Sequence, residues 1–443
     1  MSTQAAKRRE AARHAAAAAA QRPPRVVVVG AGFAGLAAAR ALASAPVELV
    51  VVDQRNHHLF QPLLYQVATA GLSPADIAMP IRSILGRRMN TEVILGAVTG
   101  VDKANRRVLL ADRPVRYDML ILATGARHAY FGRDDWERDA PGLKRIEDAT
   151  AIRRRILIAF EQAEGTTDEA ERRRLLNFVV VGGGPTGVEM AGAIAELAKV
   201  ALARDFRRID PRDARVVLAE AGPRVLPAFP EVLSAKARAA LESLGVEVRV
   251  GRPVTALDGT GVSLGGAERI EAATIIWAAG VAASAAARWL GAAADGAGRV
   301  IVGPDLTLPG NPEIFVLGDT AAVQGPGGKP LPGLAPVAKQ QGTYAARLIR
   351  ARLEGRGDTV GPFRYRDLGS LATIGRGRAV ADFGRVRMSG RLAWLLWGVV
   401  HIAFLIGFRN RLAVLLDWLW AYVSFKRGAR LITAGPMSGG PVG

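Results

Sequence analysis

The sequence predicts an α/β protein made from two copies of a strand–glycine turn–helix unit, one set inside the other, ahead of a helical C-terminal segment. Three observations carry this. The β-branched run RVVVV (25–29) leads into Gly30-Ala-Gly32-Phe-Ala-Gly35 and an Ala-rich helix, and FVVV (178–181) leads into Gly182-Gly-Gly184-Pro-Thr-Gly187 and another. Each unit is followed by a second apolar strand that ends in an acid, Asp53 or Glu220. After Gly390 the chain becomes apolar and Trp-rich.

Strand, glycine turn, helix and terminal acid together describe a Rossmann-like dinucleotide-binding domain. One glycine makes the turn, one lets backbone approach a pyrophosphate, and one lets helix and strand pack closely. The pyrophosphate then rests on the helix N-terminus, and the acid meets a ribose hydroxyl. In the first copy these positions are Gly30, Gly32, Phe33, Ala34, Gly35 and Asp53. The strand of RYDMLILATGA adds Thr124 and Gly125, small residues suited to crossing close beside a nucleotide.

In the second copy the positions are Gly182, Gly184, Gly187 and Glu220. A carboxylate at 220 favours a free ribose and repels a 2′-phosphate, whereas nearby Arg224 could accommodate one. Glu189 falls in the first helical turn and admits two readings, a partner for the helix dipole or a proton-relaying carboxylate. Gly280 ends the later strand in TIIWAAGV.

IFVLGDTA (314–321) ends in Gly318-Asp319, and a Pro-Gly punctuation opens a helix carrying Ala338, Lys339, Gln340 and Gln341. The first domain is therefore expected to be discontinuous. The expected order is a disordered tail at 1–24, a first domain at 25–149 and 286–350, an inserted domain at 150–285, and a C-terminal region at 351–443. A transit peptide is the alternative for the tail, which lacks the apolar stretch of a secretory signal.

Composition narrows the chemistry. There is no cysteine, which excludes disulfide frameworks, thiolate metal sites and dithiol redox chemistry; no metal site is expected. The formal charge is +19, from 59 Lys plus Arg against 40 Asp plus Glu. No nucleic-acid signature accompanies it, so an anionic membrane surface is the expected partner, not nucleic acid.

Residues 392–408 are almost charge-free and are followed by Arg409 and Arg411, a second apolar run, and Lys426-Arg427. Trp394, Trp397, Trp418, Trp420 and Tyr422 suit a membrane-interface belt. A helical anchor at about 392–425 lying in one leaflet is expected. A membrane span and a buried dimer hairpin are the alternatives, and His401 reads as structural.

HHLFQPLLYQVATAGLSPADIAMPIR (57–82), LAEAGPRVLPAFP (218–230), IIWAAGV (275–281) and LPGLAPVAKQQG (331–342) resemble the type II NADH dehydrogenases, single-subunit NADH:quinone oxidoreductases. The likeness runs from about Arg25 to Thr433. It implies FAD held noncovalently in the first domain, NADH in the second, and a membrane quinone as electron acceptor without proton pumping. By motif matching, Gly30, Gly32, Phe33, Ala34, Gly35, Asp53, Gln61, Pro62, Thr124, Gly125, Gly318, Asp319 and Ala338 serve FAD, with residues 60–64 along the flavin ring. Gly182, Gly184, Gly187, Glu189, Glu220 and Gly280 serve NADH, and Gln340, with Lys339, faces the quinone. Pro336 departs from the family's Ala-Gln and cannot donate a hydrogen bond. A homodimer is expected, and the cysteine-free, signal-free sequence favours the cytoplasmic face of the plasma membrane, where NADH is available, with a single membrane span as the alternative. A soluble flavoprotein reductase of a small electron-transfer protein is the rival enzyme, and an NADH-binding sensor the rival outside catalysis.

Overall fold

In the computed structural model of the chain, residues 22–86, 88–266, 268–328, 330–424 and 427–433 are described; most of the expected tail lies outside them. Internal contacts divide the chain into two compact units. One runs up to His58 and includes Pro80–Arg127 and Ala282–Arg366; the other comprises Leu59–Met79, His128–Val281 and the chain from Asp367. The sequence reading set the divisions near 149/150 and 285/286 and kept 59–79 with the first domain. Short helix Leu64–Ala68 instead packs on helix Ile146–Gly165, which draws the segment into the second unit.

The first unit is built on a six-stranded sheet ordered Thr307–Leu308, Asn311–Val316, Met119–Leu122, Arg25–Val29, Glu48–Asp53 and Thr91–Leu95. Arg25–Val29 pairs in parallel with both neighbours. Val26 to Val29 are at most 4% exposed, which is why this strand reads as a continuous apolar run: a parallel strand is covered on both faces. Helices Phe33–Leu42 and Ala335–Leu353 pack directly on one another. A Cβ on Gly342 would stand 2.1 Å from the Ala34 carbonyl oxygen, so only glycine permits that approach.

The second unit carries a four-stranded parallel sheet ordered Val246–Val250, Arg215–Glu220, Asn177–Val181 and Thr274–Trp277. Its core joins Val179, Val181 and Val217 to Tyr130, Trp136 and Trp277. Helix Pro185–Glu196 continues into a π-helical turn at Leu197–Ala201. The antiparallel sheet Ser370–Gly375, Arg378–Asp382 and Arg387–Ser389 lies against that helix. Gly192 makes the contact possible, since a Cβ there would stand 1.7 Å from the Ile374 oxygen.

Helices Arg391–Phe404 and Phe408–Ser424 end the described fold. Arg411 caps the first of them by donating to the carbonyls of Leu405 (2.8 Å) and Ala403 (2.9 Å). No helix among the described residues is long and apolar enough to cross a membrane. The break after Phe404 is the reason: at 1.5 Å per residue the pieces reach ~21 and ~26 Å, short of a ~30 Å hydrocarbon core.

Candidate functional site

In the first unit the glycine turn is sterically exact. Gly30 has φ 95°, and a Cβ there would stand 2.3 Å from the Ala123 oxygen; a Cβ on Gly35 would stand 1.8 Å from the Gly30 oxygen. Gly32 differs, because nothing lies within 4 Å of the place its Cβ would occupy. That open space adjoins the N-terminus of helix Phe33–Leu42, which has no side-chain cap. A helix N-terminus beside open space fits a pyrophosphate.

Asp53 is held by that turn: Oδ2 accepts from the Ala31 amide (2.7 Å) and Oδ1 from the Arg55 amide (2.8 Å). Each oxygen keeps a lone pair for a ribose hydroxyl. His58, 3% exposed, bonds the Ala31 carbonyl through Nδ1 (2.8 Å) and meets the Phe33 ring edge-on. A carbonyl only accepts, so Nδ1 carries the hydrogen, and burial lowers the pKa of the ring and keeps it neutral.

Beside the turn, Thr124 Oγ1 lies 2.6 Å from Ser284 Oγ and 3.3 Å from Thr320 Oγ1, while Thr320 donates to the Gly125 carbonyl (3.3 Å). Gly318 adopts φ 68°, and its Cβ position touches the methyls of Ala34 and Ala338, both at 3.6 Å. The Gly318 amide donates to Gln341 Oε1 (2.6 Å). Asp319 closes on Gly333, where a Cβ would stand 2.9 Å from Oδ1. The first-copy residues from Gly30 to Asp53, with Thr124, Gly125, Gly318, Asp319 and Ala338, are thus in one unit. Gln61 and Pro62 belong to the other, in a single 3-10 turn whose Gln61 Nε2 donates to the Lys144 carbonyl (3.2 Å).

The second turn repeats the first. Gly182 has φ 108°, with its Cβ position 2.7 Å from the Ala278 carbonyl group. A Cβ on Gly187 would stand 1.8 Å from the Gly182 oxygen, and Gly184 again faces open space. Glu220 accepts from the Gly183 amide through Oε2 (2.5 Å) and from the Gly222 amide through Oε1 (2.6 Å). Arg224, the residue read from the sequence as the one to accommodate a 2′-phosphate, is engaged elsewhere. Its guanidinium donates to the carbonyls of Phe229 (2.8 Å) and Pro227 (3.0 Å) and to Ser234 Oγ (3.2 Å).

The second unit also encloses a cavity of about 750 Å³. Its lining combines Tyr65, Glu189, Glu196 and Arg427 with Trp394, Trp397, Trp418 and Tyr422 from the terminal helices. Glu189 is half-buried on the wall. Burial pushes its carboxyl up to about 8, against a smaller opposing pull from the Thr373 backbone. Tyr65 is raised well above the phenol value by burial and then by Glu189. Gln66 donates to Tyr65 Oη (2.9 Å) and accepts from Trp418 Nε1 (2.8 Å). Arg427 donates to the carbonyls of Thr69 (2.7 Å) and Ala193 (3.2 Å) and stands 3.5 Å from the Glu196 carboxylate.

The sequence model of a family described as pyridine nucleotide-disulphide oxidoreductase matches residues 24–342, and that of the NDH2 C-terminal domain matches residues 368–425. The chain is 47% identical to the type II NADH:quinone oxidoreductase Ndh of Mycobacterium tuberculosis, covering 92% of this chain and 89% of that protein. The chain belongs to the type II NADH:quinone oxidoreductases. It is also 30% identical to the type II NADH:quinone oxidoreductase of Staphylococcus haemolyticus, over 79% of this chain and 87% of the other. In fold it resembles the structure of NDH2 from Plasmodium falciparum in complex with NADH: TM-score 0.86, 20% identity, 93% of this chain and all of the other covered. FAD and NADH are the cofactors of this enzyme.

Other residues singled out in the sequence of this type II enzyme have defined contacts. Gln340 has its side-chain amide tied to the Arg366 backbone, donating to the carbonyl (2.9 Å) and accepting from the amide (3.0 Å). Neither Gln340 nor the exposed Lys339 lines the cavity. Pro336 falls in the first turn of helix Ala335–Leu353, where its missing N–H has no intrahelical partner to lose. Arg427 is not a lipid-facing flank; its guanidinium lowers in pKa by burial and serves the cavity wall. Lys426 lies outside the described residues. The aromatic belt is divided, with Trp397 3% exposed and Trp420 65% exposed. His401 is structural in its contacts: it bonds the Trp397 carbonyl (2.7 Å) and stacks on that ring at 4.2 Å.

Tyr65, Gln66, Glu196 and His58 were absent from the sequence reading. All four left a signal, His58 by lying with Tyr65 and Gln66 in the segment 57–82. Glu189 and Glu196 are seven residues apart, two turns of one helix, and so share a face. Tyr65 and Gln66 lie in the 57–82 segment that marks the family.

Proposed function

We propose that this type II enzyme holds FAD at the first glycine turn, oxidises NADH at the second, and reduces a membrane quinone in the apolar cavity, moving no protons across the bilayer. When bound, FAD supplies the redox chemistry, accepting hydride from NADH and yielding two electrons to quinone. The chain's own residues orient, exclude water and manage protons.

Gly32 and Gly184 leave the helix N-termini accessible to pyrophosphates, while Asp53 and Glu220 fix the turns and offer their remaining lone pairs to ribose hydroxyls. Glu220 repels a 2′-phosphate, and Arg224 is occupied by backbone carbonyls, so NADH is preferred to NADPH. In the cavity Glu189 is the proton-holding residue. With its pKa near 8 it is mostly a neutral acid at pH 7 and can donate to a quinone oxygen as that oxygen gains charge. Arg427 keeps a cationic wall near it, and Tyr65 stays protonated.

The observation that carries this reading is a single one: an apolar cavity with the half-buried Glu189 carboxyl on its wall, on the helix that begins at the second glycine turn. Helical faces beside it supply the membrane surface. Leu392, Leu395, Val399, Phe408, Leu416 and Val423 are all more than half exposed, and Arg391 and Arg409 are exposed beside them. That pattern suits peripheral docking on anionic lipid, where quinones dissolve. Gln340 is reassigned from quinone contact to holding the chain at Arg366.

The test is steady-state oxidation of NADH and of NADPH by the purified holoenzyme, with and without a short-chain quinone. Quinone-dependent oxidation with a strong NADH preference is expected. Oxidation of NADH that ignores quinone overturns the acceptor assignment.

A further inference from the structure

Phe131 occupies an unusual place for a large apolar residue. Its backbone φ is 53° and that of the following Gly132 is 87°, a left-handed conformation that is rare and strained for a bulky side chain. Its side chain contributes little to the core, since the residue is 74% exposed. Yet the arch that presents it is firmly founded. Trp277 Nε1 donates to the Ala129 carbonyl (3.0 Å), Tyr130 stacks on Trp277 at 5.1 Å, and the Tyr130 hydroxyl donates to the Ala140 carbonyl (2.9 Å). A strained, exposed aromatic on a rigid base is positioned for something other than folding.

Its neighbour indicates what. The Phe131 ring covers Gly280, where a Cβ would stand 2.6 Å from Phe131 Cζ. Gly280 follows strand Thr274–Trp277, which flanks Asn177–Val181 on the side away from Arg215–Glu220. Dinucleotides lie outside the carboxyl ends of such strands. Glu220 takes the adenosine ribose on one side, which leaves the nicotinamide end for the Gly280 side.

We propose that Phe131 is a binding residue for the nicotinamide half of NADH, packing its ring against the nicotinamide riboside beside Gly280. This rests on the reading that the second glycine turn holds NADH. The exposed ring then has a flat partner, and the arch holds it in place before the ligand arrives.

The experiment compares F131A, F131G and F131W holoenzymes, using ADP-ribose, which lacks the nicotinamide, as a competitive inhibitor. Losing one aromatic contact should raise the KM for NADH about three- to tenfold in F131A and F131G, with F131W near wild type. The inhibition constant of ADP-ribose and the KM for a short-chain quinone should not move. F131G should melt no lower than wild type, because glycine relieves the positive φ. An unchanged KM for NADH, or an ADP-ribose constant that shifts in step with it, overturns the proposal. Failure of ADP-ribose to compete with NADH in the wild type overturns the underlying site reading instead, and the proposal with it.

Discussion

The Arg427 guanidinium stands 3.5 Å from the Glu196 carboxylate, and the two line the same apolar cavity. The pair fastens the segment around Arg427 to the helix that carries Glu189. Arg427 also satisfies the carbonyls of Thr69 and Ala193, and Glu196 accepts from the Arg376 amide. Side-chain exposures of 15% and 21% make this a largely desolvated ion pair.

Breaking that pair from one side should be expensive. Removing one partner of a wholly buried pair costs ~3–5 kcal/mol, and residual solvent contact reduces this to about 2–4 kcal/mol for R427M. The E196Q/R427M double variant should lose less than the sum of the two single changes, a coupling that chemical denaturation in a double-mutant cycle measures. Additive losses would mean that the pair does not act as a unit.

Glu189 predicts a pH signature. Burial raises its pKa from 4.5 to about 8, so between those values the native protein binds a proton that the unfolded chain has released. Stability contributed by the neutral acid is full below pH 4.5 and is lost as pH rises through about 8. E189Q removes the titration. Its melting temperature, relative to wild type, should rise progressively from pH 5 to pH 8 and then level off. Parallel curves for the two proteins would refute the shifted carboxyl.

Cofactor preference should follow Glu220 and not Arg224. E220S frees the Gly183 amide and removes the charge that opposes a 2′-phosphate. The KM for NADH should rise about tenfold, the scale of one charge-assisted hydrogen bond, and the ratio of NADPH to NADH turnover should increase. R224A should leave that ratio unchanged, since its guanidinium serves Pro227 and Phe229.

Both glycine turns and their acids were legible in the sequence because their causes are local. A turn at φ near 100° and a helix pressed onto a strand demand glycine wherever they occur, and Gly30, Gly35, Gly182 and Gly187 announce themselves. What was hidden depends on partners distant in sequence. Arg427 reads as a lipid anchor until Thr69 and Ala193 are found around it, and nothing local announces that the Gln340 amide meets the Arg366 backbone. Trp397 and Trp420 are alike in sequence and opposite in exposure, because only the helix face decides which one looks inward.

Membrane docking is expected to depend on the exposed apolar faces. Replacing Leu416 and Val423 together with Glu should abolish cosedimentation with anionic vesicles while activity with a water-soluble short-chain quinone stays within about twofold, as surface substitutions usually do. High salt should weaken binding of the unmodified protein, because Arg391 and Arg409 act on the lipid charge through a Debye length of only about 10 Å at 0.1 M. Binding that survives the double Glu change would place the docking surface elsewhere.

The central claim is that quinone reacts in the cavity beside Glu189, and rapid kinetics of the two half-reactions tests it most directly. G398W should fill the cavity from helix Arg391–Phe404, since Gly398 lies on its wall with the Trp418 ring 3.5 Å from its Cβ position. Anaerobic bleaching of the flavin by NADH should proceed at the wild-type rate, and reoxidation by quinone should slow at least tenfold. Wild-type reoxidation in a correctly folded G398W protein, or equal slowing of both halves, would contradict the account.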